Sequence, residues 1–269
     1  MSITADPLLD PAFVSTTELS PDPLRPNRFH GSYDADWSAL RGVHGGYQTA
    51  VAVRAAEAMA PGRTVRTVTA SFLRPGSVGP AVLDVSVVRS TRTFTTAIVR
   101  VTQDDRPVLS VRTTATEPVA GHEWSTAARD RPAPFDMAVT FTPPPPVGHF
   151  RQAELRLDPG TIPTGDATEA RIAGYVRPNV GRRLDTAWLV MAGDWLPPSP
   201  FRRVQIPVGG VSVDYTVHVH GAVTLGPDEW LAAVFETPNS TSGLALEHGT
   251  LSTMDGRVVA ETFHTRWTG

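Results

Sequence analysis

The chain has 269 residues, of which 41 % are hydrophobic and 19 % charged, so it can bury a sizeable core and whole-chain disorder is excluded. Its net charge of −3, with all 24 basic residues arginine, provides no positive field for nucleic acid or an anionic membrane. With no cysteine, disulfides, thiolate catalysis and cysteine-ligated zinc are excluded as well.

Residues 1–26 are rich in Pro, Asp, Ser and Thr. They lack the basic and apolar blocks of a secretory signal and read as a flexible lead-in. No apolar run reaches the ~18–20 residues that span a bilayer, so the expectation is a cytoplasmic chain with no membrane span. A short strand is expected over 27–33. Val43-His44-Gly45-Gly46-Tyr47 then opens a helix over 43–59, whose alanine content and spacing suit a buried helix, and Pro61-Gly62 stops it. Val-, Thr- and Phe-rich strands follow at 65–73, 81–89, 94–103 and 107–117, with turns at Pro75-Gly76, Gly79-Pro80 and Asp104-Asp105.

Residues 119–167 read as a proline-rich connection, with the extended run Pro143 to Pro146 and short structure near 135–141 and 150–157. The plan then repeats: a strand at 169–177, a helix at 184–196 closed by Pro197-Pro198, and strands at 211–219, 230–237, 243–253 and 257–267. A shift of 253 − 102 = 151 lays Thr102–Val108 on Thr253–Val259 and Ser90–Phe94 on Thr241–Ala245. The repeat divides the chain into a first domain at 27–118 and a second at 168–269.

Three stretches resemble the thioesterase II (TesB-like) family of acyl-CoA hydrolases, across about residues 28–267. They are Arg28-Phe29-His30-Gly31 with Val43-His44-Gly45-Gly46, then Ser71-Phe72-Leu73-Arg74-Pro75-Gly76, and, in the second half, Met191-Ala192-Gly193-Asp194, Val211-Ser212-Val213-Asp214 and 255–262. The resemblance implies an α+β double hot-dog fold: two tandem units, each a curved antiparallel sheet wrapped around a central helix. It also implies hydrolysis of acyl-CoA to free acid and CoA by activated water, with no cofactor and no metal. In that family an Asp on the second domain's helix works with a Ser or Thr and a Gln to hold the water. These roles fall on Asp194, on Ser212 and on His264, where this chain departs from Gln to a side chain that can titrate.

Each residue also has a plainer reading. Asp194 could cap the turn before Pro197-Pro198; desolvation on an apolar helix would instead raise its pKa and basicity. Strand alternation puts Ser212 and Asp214 on one face, where Ser212 could be an ordinary ladder residue. His264 could be a hydrogen-bonded, half-buried histidine. At the first helix start, the N–H of Gly46 or Tyr47 is the expected donor to the thioester oxyanion; Gly45 allows close approach, and His44 is equally a packing residue. Arg74, Arg89 and Arg92 are candidates for the CoA phosphates, against a reading as solvated turn residues. His218 and His220 alternate on a strand without a third ligand in view. The first helix has no acid before Glu57, which points to one site per chain.

Two further functions were weighed. A hot-dog hydratase or dehydratase would carry an Asp-x-Asn-x-x-His stretch, which does not occur. A non-catalytic acyl-thioester binding protein stays open because of His264. Homo-oligomerisation through the sheets is also left open.

Overall fold

The computed structural model describes residues 8–118, 121–122, 124–142, 147–205 and 211–269; the run Pro143 to Pro146 lies outside them. Helix α1 (Pro11–Thr16) and strand β1 (Ser20–Pro21) lead into β2 (Arg28–Tyr33), helix α2 (Gly45–Ala58) and strands β3 (Thr64–Phe72), β4 (Gly79–Ser90), β5 (Phe94–Gln103) and β6 (Arg106–Thr116). The connection carries β7 (Val139–Thr140) and β8 (Ala153–Leu157). The second half runs β9 (Arg171–Pro178), β10 (Arg183–Leu184), helix α3 (Thr186–Ala192), β11 (Val211–Val219), β12 (Val223–Thr224), β13 (Leu231–Thr241), β14 (Leu244–Thr253) and β15 (Val258–Trp267).

Thirteen of these strands form one antiparallel sheet in the order β1-β2-β4-β5-β6-β3-β11-β15-β14-β13-β9-β8-β7. The halves meet where β3 pairs with β11, with Thr69 opposite Thr216 and Val68 opposite Val217. Two hairpins turn on residues of the left-handed region: β5–β6 on Asp104 and Asp105 at φ +48° and +59°, and β13–β14 on Ser242 and Gly243 at +53° and +77°. Two successive positive φ values give the mirror-image turn whose twist suits a two-residue hairpin.

Helices α2 and α3 pack against each other inside one continuous core. Ala50, Val51, Ala52 and Val53 are all fully buried. Four consecutive buried residues mark a helix covered on every side, by sheet on one flank and by α3 on the other. The close approach depends on Gly46, where a Cβ would lie 2.8 Å from the Met191 carbonyl oxygen.

Within the segment expected as a flexible lead-in, the described residues 8–26 include a helix and a short strand, with Asp10, Phe13 and Thr17 buried. Asp10 caps α1 by accepting from the Ala12 and Phe13 N–H groups, and Phe13 is 2 % exposed, edge-on to Trp37 at 5.6 Å. A buried aromatic ring repays the ordering of a short helix. The second helix is shorter than expected, seven residues rather than the run to 196. Gly193 follows its last residue, where a Cβ would lie 2.2 Å from the Tyr215 hydroxyl oxygen, so the position has no room for a side chain.

Gly249 in β14 leaves room for the Phe235 ring and the Thr262 hydroxyl, each 2.2 Å from where its Cβ would stand. Gly249→Ala should therefore lower stability by about 1–3 kcal/mol through overpacking, read as a lower urea midpoint with an unchanged slope.

Candidate active site

Asp194 stands two residues past the end of α3 and is 7 % exposed. It does not cap its own turn. Its Oδ2 accepts the Gly46 N–H of α2 at 2.9 Å, and its Oδ1 accepts from Arg266 Nη2 at 2.9 Å. His44 Nε2 donates to the Asp194 backbone carbonyl at 2.8 Å and sits 3.4 Å from Oδ2. On the other side His264 Nδ1 lies 3.4 Å from Oδ1, longer than a hydrogen bond. His264 Nε2 is 2.7 Å from Ser212 Oγ. A carboxylate beside Nδ1 favours the proton there, which leaves Nε2 to accept from the serine hydroxyl. Asp194, His264 and Ser212 are thus in series.

A bulge in β11 makes this possible. Ser212 pairs with Arg266, but Asp214 pairs with Thr265, so Val213 is an extra residue in the strand. In an antiparallel pair, opposed residues share a face. Ser212 therefore shares the inner face with Arg266 and His264, while Asp214 is turned to the other. This corrects the expectation that Ser212 and Asp214 share a face: period-two alternation fails across a bulge. The same irregularity recurs in the first half, between Val65 and Thr67. There Val65 faces Ala115 and Val68 faces Thr113, the places that Ser212, Arg266, Tyr215 and His264 take in the second half. The repeat carries the geometry twice and these polar groups once.

Burial decides the protonation states. Desolvation pushes the Asp194 carboxyl up, but the facing His44, His264 and Arg266 outweigh it and hold it well below the ordinary carboxylate range. This reverses the expectation of a raised, more basic aspartate. Desolvation lowers His264 well below a free imidazole, Arg266 adds to the effect, and Asp194 opposes it. His44 is lowered by burial too. So is His149, contributed by the connection between the halves, whose ring stacks on His44 at 4.3 Å. The site at neutral pH pairs a firmly ionised Asp194 with neutral imidazoles.

The oxyanion expectation is corrected as well. The Gly46 N–H is taken by Asp194 and the Tyr47 N–H by His44 Nδ1 at 3.2 Å, because the helix start is sealed by its neighbours. Gly45, half-buried, is the residue of that turn whose N–H has no hydrogen-bond partner among the described residues. Its Cα faces the Phe72 ring, with a built Cβ 3.0 Å from Cζ. Arg74 is exposed two residues beyond Phe72 and donates to the Pro107 carbonyl at 2.8 Å. Arg89 and Arg92 lie at the opposite end of α2, about 20 Å away along its length, where Arg63 holds the 90–95 turn. They are not brought to the site. His218 and His220 face outward, and His220 pairs with Glu261 at 3.0 Å.

Two partners escaped the sequence reading. Arg266 also donates through Nε to Glu247 Oε1 at 2.7 Å, and both residues are buried. The signal was present: Thr262, His264 and Arg266 alternate on one strand face, so an inward His264 implies an inward Arg266. Nothing in the sequence pointed to His149. Two clefts, of about 300 Å³ beside Arg177 and Arg182 and about 250 Å³ beside Phe201 and Gln205, do not reach the Asp194 group. Of the series itself, Ser212 is the member that reaches solvent.

Two halves joined edge to edge through β3 and β11, with α2 and α3 packed together in one core, define a double hot-dog fold. The acyl-CoA thioesterase N-terminal domain model matches residues 33–116 and the C-terminal domain model residues 126–267. The chain belongs to the acyl-CoA thioesterase family and is a thioester hydrolase. Its fold is shared with a hot-dog protein of Alicyclobacillus acidocaldarius at 23 % identity and TM-score 0.84, covering 97 % of this chain and 99 % of that one. It is shared also with the tesB protein of Mycobacterium avium subspecies paratuberculosis, at 22 % identity and TM-score 0.76 over 96 % and 98 %. The acyl-CoA thioesterase II TesB2 of Mycobacterium marinum matches at 20 % identity and TM-score 0.72 over 96 % and 97 %. No curated protein matches the chain in sequence. No helix among the described residues is long and apolar enough to cross a membrane.

Two predictions follow from the charges. His44, His149 and His264 are held neutral in the fold, whereas in the unfolded chain they take up protons below about pH 6.5. Their contribution is complete above that pH and is lost as pH falls, by up to about 1.4 kcal/mol per pH unit for each histidine. The urea midpoint should drop steeply between pH 7 and pH 5; a flat midpoint would mean the rings are charged in the fold. Arg266→Met should cost about 3–5 kcal/mol by leaving buried carboxylates unpaired, and Glu247→Gln added to it should recover part of the loss in thermal unfolding.

Proposed function

We propose that the chain hydrolyses acyl-CoA to free acid and CoA at the point where Asp194, His264 and Ser212 meet, with His264 as the base. The observation that carries this reading is the 2.7 Å hydrogen bond between His264 Nε2 and Ser212 Oγ, with Asp194 Oδ1 3.4 Å from the other ring nitrogen. A carboxylate held far below its ordinary range is a weak base. His264 is lowered too, but it is neutral and turns its Nε2 lone pair to the Ser212 hydroxyl, so it is the group positioned to take the proton. Whichever oxygen attacks the thioester carbon, its proton goes to Nε2, and the imidazolium that forms is stabilised by Asp194. The expected water-activating role of Asp194 becomes an orienting and electrostatic one. The Tyr215 ring, 4.8 Å away by ring centroids, and the Phe72 ring, 6.5 Å away on the same measure, flank the imidazole and fix its plane.

The partly exposed Gly45 N–H, at the positive end of α2, is the donor left for the developing oxyanion. Arg74 is the member of the expected arginine set placed on this side of the sheet, and it is assigned to the CoA phosphates. The acyl chain would run among apolar side chains beside Phe72. Its length and the natural substrate are set by experiment: a panel of acyl-CoA chain lengths assayed for free thiol.

In that assay Asp194→Asn and His264→Gln should each lower kcat by ~100-fold or more while the fold is kept. Near-wild-type turnover in either variant removes that residue from the chemistry. Because His264 is lowered, the acid limb of kcat/KM should lie below the ordinary imidazole range, with a plateau through neutral pH. A limb at or above pH 7 would contradict a desolvated base.

A further inference from the structure

We propose that Ser212 is the nucleophile, so that hydrolysis passes through an acyl ester on Ser212. The inference rests on the hydrolase reading above and specifies its first step. A water held jointly by a carboxylate, an imidazole and a hydroxyl requires those groups to converge on one empty point. Here they do not converge. Each Asp194 oxygen already accepts one hydrogen bond, Oδ2 from the Gly46 N–H and Oδ1 from Arg266, and Oδ1 also faces His264 Nδ1. His264 turns Nδ1 toward Asp194 and Nε2 toward Ser212. The oxygen within reach of the base, at 2.7 Å, is Ser212 Oγ.

Three further features agree. The extra residue Val213 re-aims Ser212 from the outer face to the inner one, toward His264, and bulges commonly serve this purpose beside active sites. Ser212 is half-buried whereas His264 is 1 % exposed, so the hydroxyl is the member of the series a thioester can reach. Finally, a glutamine amide cannot take a proton from a hydroxyl, whereas the imidazole in this chain can. The imidazole of His264 is what allows a serine to be activated. The 3.4 Å separation of Nδ1 from Oδ1 is the loose contact typical of such a series before substrate binds.

The chemistry balances with thioester and water alone. Ser212 Oγ bonds to the thioester carbon and its proton moves to His264 Nε2. The tetrahedral oxyanion collapses, the C–S bond breaks, and the proton passes to the departing CoA sulfur. Water then adds to the ester carbon, giving a proton to Nε2. The bond from carbon to Ser212 Oγ breaks, Oγ takes that proton back, and the carboxylic acid leaves.

The test is partitioning. The full chain turns over one acyl group carried on CoA, on pantetheine and on N-acetylcysteamine, each with hydroxylamine present. If the three thioesters share an acyl-serine, the ratio of hydroxamate to free acid is the same for all three. Ser212→Ala then loses at least ~100-fold of thiol release, and acid-quenched digests carry the acyl mass on the Ser212 peptide. A ratio that changes with the thiol, or no hydroxamate at all, overturns the proposal whatever Ser212→Ala does, because loss of activity in that variant alone also fits a hydroxyl that only positions water. Absence of thiol release from all three thioesters overturns the hydrolase site reading itself, a distinct outcome.

Discussion

The arrangement depends on one constraint, the satisfaction of a carboxylate buried between two helices. Asp194 is 7 % exposed, and an ionised group at that depth is tolerated only when its oxygens are met by donors. The donors come from far apart in the chain: Gly46 at the start of α2 and Arg266 at the end of β15. One side chain therefore ties the two halves together and fixes the crossing of α2 over α3. It also explains the glycines. A Cβ at Gly46 would stand 2.9 Å from the Asp194 Cβ, and one at Gly45 would stand 3.2 Å from Oδ2. Close approach of helix to carboxylate leaves no space for side chains, and the Gly45-Gly46 pair is first a packing requirement of this charge.

Duplication supplies the rest. The bulge in β3 and the bulge in β11 occupy matching positions in their strand pairs, β3–β6 and β11–β15. A device that points one side chain inward is thus built into the repeat and independent of chemistry. In the first half it points Val65 at the core, which adds hydrophobic burial. In the second half it points Ser212 at His264. The first half keeps the apolar version and continues to stabilise the core, while the second half carries the polar groups.

Much of this was legible before any coordinates. Strand and helix order and the Asp104-Asp105 turn follow from period-two and helical patterning with Gly, Pro and Asp punctuation, although the second helix stops short of the expected 196. Asp194, Ser212 and His264 came from resemblance to a family rather than from pattern, and their contact is geometric information no pattern holds. What the sequence hid has specific causes. The bulge at Val213 leaves no compositional mark, since a valine there suits an unbroken strand equally well. The fate of the Gly46 and Tyr47 N–H groups depends on neighbours 148 residues away or on the cap's own ring. The pKa of Asp194 was misjudged because burial was visible in the apolar helix, whereas Arg266 was not seen and the closeness of His44 and His264 to the carboxylate is three-dimensional information. The packed residues 8–26 were hidden because one phenylalanine, Phe13, decides their order against a polar composition.

The Arg266–Glu247 pair bears on the role proposed for His264 as a base in a position this dry. If Arg266 alone faced Asp194, the two charges would cancel, and an imidazolium forming at His264 would add an uncompensated positive charge to the core. Glu247 also accepts from Arg266 and returns one negative charge to the group. Counted together, Asp194, Glu247 and Arg266 carry −1 while His264 is neutral, and 0 once it takes a proton. Proton transfer from Ser212 or water thus moves the buried cluster toward neutrality. At 3.4 Å from Nδ1 to Oδ1, the attraction between imidazolium and Asp194 is of order 5 kcal/mol at an effective dielectric of about 20. The same desolvation that keeps the ring neutral at rest strengthens this attraction when the ring is charged. A glutamine in that position would need no such balance, so the buried Arg266 and Glu247 belong with the histidine as parts of one electrostatic solution.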